Sequence, residues 1–159
     1  MMQCPACANE LVSEVIDGIQ LEVCDGGCGG IWFGRDVLTK FDHAHHPTED
    51  FVSPRIRTDK PVDQTRRYIC PHCNDIAMVR QFVKVLDDVL VDECSSCGGM
   101  WLHGDELAEI QHQFDEEGSL SASHEPIMDP DDDLNEREEL RNRRFLNACR
   151  FLWIPHCVG

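Results

Sequence analysis

The sequence is poor in basic residues. It has 14 lysines and arginines against 30 aspartates and glutamates, which gives a formal net charge of -16. Most of such a surface repels a phosphate backbone, so the composition disfavours general binding of DNA or RNA. The 159 residues leave room for one ordinary domain or two small ones.

Long apolar runs are also missing. The longest apolar stretch, near residues 145–154, is interrupted by Asn147 and Arg150, whereas a membrane-spanning helix needs about 20 apolar residues in succession. Residues 1–5 lack the basic and apolar regions of a secretory signal. We therefore expect no transmembrane segment and a cytoplasmic location, where paired cysteines serve as metal ligands or redox groups more often than as disulfides.

Sequence motifs for catalysis are absent as well. The chain shows no nucleophile–base pair, no phosphate-binding glycine loop and no two-histidine metal motif. We therefore expect that the protein is not an enzyme and that it has neither catalytic residues nor residues for an organic cofactor.

Cysteine, in contrast, is abundant, because ten cysteines occur among 159 residues. Eight of them form an internal repeat: each copy has a Cys-Pro-x-Cys pair and, after a spacer of 16 or 20 residues, a second pair followed by Gly-Gly-x-Trp. Both spacers fall at or near the spacing of four-cysteine zinc sites. The predicted ligands are Cys4, Cys7, Cys24 and Cys28 for one Zn2+, and Cys70, Cys73, Cys94 and Cys97 for a second.

Each spacer has the pattern of a β-hairpin. In the first copy, residues 11–16 and 19–23 flank Asp17-Gly18, a dipeptide that accepts positive φ in a two-residue turn. In the second copy, residues 78–86 and 89–93 flank a weaker turn signal. A hairpin with a cysteine pair at either end brings four thiols around one ion, and this is the architecture of a zinc ribbon.

A short helix is predicted after each tryptophan of the repeat. The two helices are expected at residues 36–41 and 105–114, with Asp36 and Asp105 as their N-caps. The apolar face of each helix is expected to cover its hairpin and its tryptophan. Both tryptophans are therefore predicted to be core residues.

Residues 94–107 resemble the bacterial zinc-ribbon family named for its likeness to the zinc finger of transcription factor IIB. They contain Cys-x-x-Cys-Gly-Gly-x-Trp-Leu and then the Gly-Asp-Glu-Leu of a helix start. The first copy looks like a diverged member, with three residues inside its second cysteine pair and a different helix start. The resemblance covers about residues 4–41 and 70–111. It implies two zinc ribbons and does not by itself imply a role in transcription.

These patterns predict a small zinc-stabilised α+β fold, with two tandem zinc ribbons, an acidic flexible segment and a C-terminal amphipathic helix. Because a proline-bearing linker separates the ribbons, we expect them to fold independently. The predicted boundaries are 1–42 for the first ribbon, 43–67 for the linker, 68–114 for the second ribbon, 115–133 for the acidic segment and 134–155 for the helix.

Three functions remain open at the level of sequence. The charge favours a non-enzymatic adaptor whose C-terminal helix binds a protein partner or a second copy, although the same helix is equally suited to pack on the chain's own ribbons. Basic residues between Arg55 and Arg80 allow nucleic-acid binding in gene regulation as an alternative. The cysteine pairs also allow iron or thiol redox chemistry. Cys149 and Cys157 lie outside the repeat, and we expect buried or free thiols there.

Overall fold

The computed structural model describes residues 1–16, 18–41, 62–82, 89–117 and 133–152. The elements in chain order are β1 (Val12–Ile16), β2 (Ile19–Val23), β3 (Ile31–Phe33), α1 (Arg35–Leu38), a 3-10 turn (Thr39–Phe41), β4 (Val79–Phe82), β5 (Leu90–Glu93), β6 (Met100–Leu102), α2 (Gly104–Glu117) and α3 (Asp133–Leu152). The zinc-ribbon α+β class predicted from the sequence is confirmed.

The two copies of the repeat share one sheet. Its six strands run in the order β1-β2-β3-β6-β5-β4, and every neighbouring pair is antiparallel. The copies meet where β3 pairs with β6, with Trp32 directly opposite Trp101. The two predicted ribbons are therefore joined through one sheet, and their independent folding stays a prediction. Each three-residue strand carries unpaired backbone groups on its outer side, and the other copy supplies their hydrogen-bond partners.

The first hairpin follows the sequence closely. β1 and β2 flank Gly18, whose φ is +75°, as the predicted two-residue turn requires. In the second copy, β4 and β5 lie inside the predicted strands, and residues 83–88 lie outside the described part of the chain. The hairpin prediction holds in both copies for the residues that the structure describes.

The helix starts differ from the predicted ones. The Leu38 amide donates to the Gly34 carbonyl and the Leu107 amide to the His103 carbonyl, both at 3.0 Å, so Gly34 and His103 are the N-cap residues. Asp36 and Asp105, predicted as N-caps, instead lie in the first turns. A single residue separates strand from helix in each copy, so the helix begins at once. The carboxylates still stabilise it through the helix dipole.

One face of the sheet packs against all three helices. Phe33 contacts Phe145 of α3 edge to face, with ring centroids 6.0 Å apart. Arg141 of α3 forms an ion pair with Glu93 of β5 at 2.9 Å. The core on this face includes Ile19, Leu21, Val23, Ile31, Val37, Leu38, Val91, Met100, Leu102, Leu107, Ile110, Phe145, Ala148 and Cys149.

The C-terminal helix confirms one prediction and refines another. α3 begins one residue before the predicted start, and residues 153–155 of the predicted helix lie outside the described part of the chain. Phe145, Ala148 and Cys149 are fully buried in the chain's own core. This part of the helix therefore packs on the ribbons, and Cys149 is a core thiol. Cys157 lies outside the described residues.

The tryptophans lie on the opposite face of the sheet. Trp32 alternates with Ile31 and Phe33 along β3, so its side chain points away from the helices. Trp32 and Trp101 are 3% and 0% exposed, which confirms them as core residues. The prediction that the short helices cover them is wrong, because strand alternation places them among the zinc-ligand cysteines instead.

Candidate metal centres

The first centre lies where the first knuckle turn meets the loop between β2 and β3. Cys4 and Cys7 come from the turn before β1, and Cys24 and Cys28 from that loop. The Sγ atoms of Cys4 and Cys28 are 3.5 Å apart, and those of Cys7 and Cys24 are 3.4 Å apart. All four lie within 4.8 Å of one another. The fold thus brings the four predicted ligands of the first copy together.

The second centre repeats this arrangement. Cys70 and Cys73 precede β4, and Cys94 and Cys97 lie between β5 and β6. The Sγ atoms of Cys70 and Cys97 are 3.7 Å apart, and those of Cys73 and Cys94 are 3.9 Å apart. These four atoms also lie within 4.8 Å of one another. The second copy thus assembles its four predicted ligands as well.

The sulfur separations fit tetrahedral zinc. A Zn–S bond of about 2.3 Å in a tetrahedron places neighbouring sulfurs about 3.8 Å apart. The four separations above run from 3.4 to 3.9 Å. These distances are far longer than a disulfide bond, and none of the nine described cysteines forms a disulfide. The two sites therefore hold two Zn2+ ions per chain, each with four sulfur ligands.

Backbone geometry directs donors at the sulfurs. The Cys7 amide donates to Cys4 Sγ at 3.4 Å, and the Cys73 amide donates to Cys70 Sγ at the same distance. The Cys97 amide donates to Cys94 Sγ at 3.5 Å. These hydrogen bonds stabilise thiolate over thiol, which is the form that binds zinc.

The extra residue in the Cys24–Cys28 knuckle is accommodated by glycine. Gly26 has a φ of +70°, and a Cβ at Gly27 would overlap the sulfur of Cys24. A side chain at Gly27 would occupy the space of the thiolates, and one at Gly26 would be strained by its positive φ. The first copy therefore keeps a four-cysteine site despite its wider spacing, because the glycines add backbone without a side chain.

Before zinc binds, the thiols of the first site differ in pKa. The hydrogen bond between Cys4 and Cys28 raises the pKa of Cys4 and lowers the pKa of Cys28 to about 5. Burial raises the pKa of Cys24 to about 11. At neutral pH, Cys4 and Cys24 therefore hold protons that zinc must displace.

Acidification is expected to weaken zinc binding steeply. Because at least two protons leave Cys4 and Cys24 when zinc binds, affinity at the first site should fall about 100-fold or more per pH unit as pH drops from 8 to 6. A competition titration against a chelator of known pH-dependent affinity measures this slope. A slope near zero over that range would contradict four-thiolate coordination.

Each tryptophan packs on the second glycine of the Gly-Gly pair in the other copy. A Cβ at Gly30 would overlap the Trp101 ring, and a Cβ at Gly99 would overlap the Trp32 ring. These glycines directly precede β3 and β6, so they lie at the junction of the two copies. The Gly-Gly-x-Trp segments of the two copies therefore pack against each other, with the glycine of one under the tryptophan of the other.

The linker and the second copy also contact the first zinc knuckle directly. The guanidinium of Arg66, at the end of the linker, donates to the carbonyls of Pro5 and Ala6 at 3.0 and 3.1 Å. A Cβ at Gly104 of the second copy would lie 2.8 Å from the Cys28 carbonyl oxygen. Two turns of the first metal site thus contact residues that flank or belong to the second copy, which links the order of one site to that of the other.

Sequence reasoning missed a buried polar cluster beside the second centre. Asp92, 1% exposed, accepts two hydrogen bonds from Arg80 at 3.1 Å and one from His103 at 3.3 Å. Burial alone raises its pKa, but the His103 and Arg80 contacts outweigh this and hold the pKa of Asp92 below its ordinary value. Tyr68 packs against His103 with ring centroids 5.2 Å apart.

The first copy has a smaller, exposed counterpart to this cluster. Ser13 and Glu22 occupy the paired positions that Arg80 and Asp92 hold in the second hairpin, and the Ser13 hydroxyl donates to the Glu22 carboxylate at 2.7 Å. Aligning the two copies strand by strand identifies the substitution. The difference shows that the copies diverged on this face while keeping their metal ligands.

Within the residues that the structure describes, none of the helices combines the length and the apolar character needed to cross a bilayer.

Comparison with known proteins gives one match. Residues 3–41 and 69–111 match the transcription factor zinc-finger family, and the two regions coincide with the two copies of the repeat. Together they cover slightly more than half of the chain. Searches of curated proteins and of solved structures found no match. The chain therefore belongs to the transcription factor zinc-finger family, of which it carries two zinc ribbons joined in one sheet.

Proposed function

We propose that the chain is a non-enzymatic protein-interaction adaptor, in which two structural zinc ions hold a scaffold for binding. The observation that carries this proposal is a set of exposed apolar side chains on the outer strands of the sheet. Four of the six large exposed apolar side chains among the described residues lie on the outer strands of the sheet: Val12, Val15, Val79 and Phe82. Two of them lie on each of the two opposite edges of the sheet, and exposed apolar side chains on a sheet edge are typical of protein-binding surfaces.

The chemistry of the zinc sites supports a structural role. Four thiolates fill the tetrahedral coordination of Zn2+, so no position remains for an activated water or a substrate. Zinc binding of this kind contributes about 10–16 kcal/mol to folding, which compensates for a small apolar core. A reducing cytoplasm suits a protein whose nine described cysteines form no disulfide.

Charge and arginine contacts favour a protein over a nucleic acid as partner. Of the basic residues that suggest nucleic-acid binding, Arg66 donates to knuckle carbonyls and Arg80 pairs with buried Asp92. Their guanidinium groups are thus held by the chain itself. The remaining surface is strongly acidic and repels phosphate.

The C-terminal helix contributes less to this proposal than the sequence predicts. The apolar face that includes Phe145 and Cys149 is buried against the chain's own core. Partner binding or self-association through the C-terminal helix, predicted at residues 134–155, stays a prediction. The outer strands of the sheet carry the proposal instead.

Affinity capture tests the adaptor function. Full-length tagged protein is recovered from its source cells with and without nuclease, and the bound proteins are identified. We expect the same protein partners under both conditions, since no nucleic acid bridges them. Loss of all partners after nuclease would favour the nucleic-acid regulator, and binding of oligonucleotides would then fall steeply with salt.

A further inference from the structure

β1 is an outer strand whose outward backbone groups can be assigned. The two residues that flank a two-residue turn form a hydrogen-bonded pair, and here these are Ile16 and Ile19. Hydrogen-bonded and non-hydrogen-bonded pairs alternate along an antiparallel ladder, so the backbone groups of Glu14 and Val12 also bond to β2. The alternate residues, Ser13 and Val15, then direct their amides and carbonyls away from the sheet.

The chain itself confirms this alternation at the start of the strand. Leu11 lies two residues before Ser13, so its backbone groups point in the same direction as those of Ser13 and Val15. Its amide donates outward to the Met2 carbonyl at 2.9 Å. The outer side of this strand therefore already accepts one extended segment. Beyond Leu11, the outward amides of Ser13 and Val15 have no backbone partner within the described residues.

Side chains along this edge are apolar and acidic. Val15 is 66% exposed and Val12 is 44% exposed, on opposite faces of the strand. Glu14 lies between them and is exposed. The first 34 residues contain no lysine, arginine or histidine, and their five carboxylates are Glu10, Glu14, Asp17, Glu22 and Asp25.

We propose that the outer edge of β1 binds an extended basic segment of a protein partner, which adds to the sheet as a seventh strand. The amides and carbonyls of Ser13 and Val15 pair with the peptide backbone, the two valines contact its apolar side chains, and the carboxylates attract lysines and arginines. This assignment rests on the adaptor function proposed above and names the chemistry of its partner.

A second copy of the chain fits this edge poorly. Pairing β1 with another β1 brings Glu14 and its neighbouring carboxylates against the same carboxylates, and like charges across paired strands destabilise the pairing. Such inward or edge charges are a common device against edge-to-edge association. The opposite edge of the sheet differs, because β4 has no carboxylate and its Arg80 pairs with Asp92.

A defined peptide tests the assignment. The probe is a fluorescein-labelled octapeptide with the repeat Lys-Lys-Val-Val, which places valines and lysines on both faces of an extended strand, titrated with the full-length zinc-loaded protein and followed by fluorescence anisotropy. A peptide of the same sequence with N-methyl groups on alternate amides keeps its charge and side chains but loses one edge of backbone donors. We expect the unmethylated peptide to bind about tenfold tighter.

Paired variants locate the contact. Ser13→Pro removes an outward amide without removing a β1–β2 hydrogen bond, whereas Ser13→Ala removes only the hydroxyl. We expect Ser13→Pro to weaken peptide binding about tenfold and Ser13→Ala to leave it within about twofold. Zinc content is measured for both variants, and the methylated peptide gives an answer on the unaltered protein if the proline variant fails to fold.

Three results would overturn the assignment: no binding of the unmethylated peptide, equal binding of the two peptides, or equal binding by the two Ser13 variants. If light scattering shows a dimer and Ser13→Pro abolishes it, the β1 edge binds a second copy of the chain instead. If any of these results is found but protein partners still co-purify after nuclease treatment, the adaptor function is supported and only the binding site at β1 is wrong. Loss of partners on nuclease treatment would remove the adaptor function itself.

Discussion

Replacing Cys94 with serine should release zinc from the second site and weaken zinc binding at the first. A four-thiolate site contributes about 10–16 kcal/mol, which exceeds the stability of most small domains, so the second ribbon should unfold without its metal. The first ribbon then loses the β6 strand that pairs with β3 and the Arg66 contacts to its knuckle. The linker alone suggests the opposite outcome, in which the first ribbon stays intact.

Zinc content and amide exchange measure this effect. The Cys94→Ser protein should hold less than one zinc after dialysis against a chelator that leaves the wild-type protein with two. Cys149→Ser is the matched control, because Cys149 is buried in the helical core and binds no metal. It should keep both ions. A Cys94→Ser protein with one firmly bound zinc and a protected first hairpin would show that the ribbons fold independently.

Gly30→Ala should strongly destabilise the junction between the copies. The added methyl group overlaps the Trp101 ring, which is fully buried. Overpacking of this kind costs about 3 kcal/mol. Gly99→Ala should have a similar effect through Trp32, because the two contacts are related by the internal repeat. Urea denaturation of the zinc-loaded protein measures both losses.

A double substitution provides the control for the glycine prediction. Trp101→Leu removes the ring that a Cβ at Gly30 would meet, so adding Gly30→Ala to it should cost much less than in the wild-type background. Additive losses of stability would mean that Gly30 matters for its backbone conformation and not for its contact with Trp101.

The local features of the fold could be predicted from the sequence because short-range chemistry determines them. Cysteine spacing defined which thiols converge, and Gly18 marked the turn of the first hairpin. The junction could not be predicted in the same way. β3 and β6 are three residues long and are joined across almost 70 positions, so neither periodicity nor turn signals indicate that they pair.

Packing of the tryptophans and of the polar cluster also depends on that junction. The sequence predicts that both tryptophans are buried, but only the pairing of β3 with β6 shows that each lies on the glycines of the other copy. Asp92 resembles any charged strand residue until the fold places Arg80 and His103 around it. Such contacts arise from tertiary structure, which local propensity does not specify.

Native mass spectrometry of the reduced, metal-free protein after addition of one equivalent of zinc tests the central claim most directly, namely that two four-cysteine zinc sites share one sheet. If each site supports the other, the chains divide between the metal-free and two-zinc forms, and a second equivalent converts all of them to the two-zinc form. A dominant one-zinc species at one equivalent, or saturation at a single ion per chain, would contradict this account.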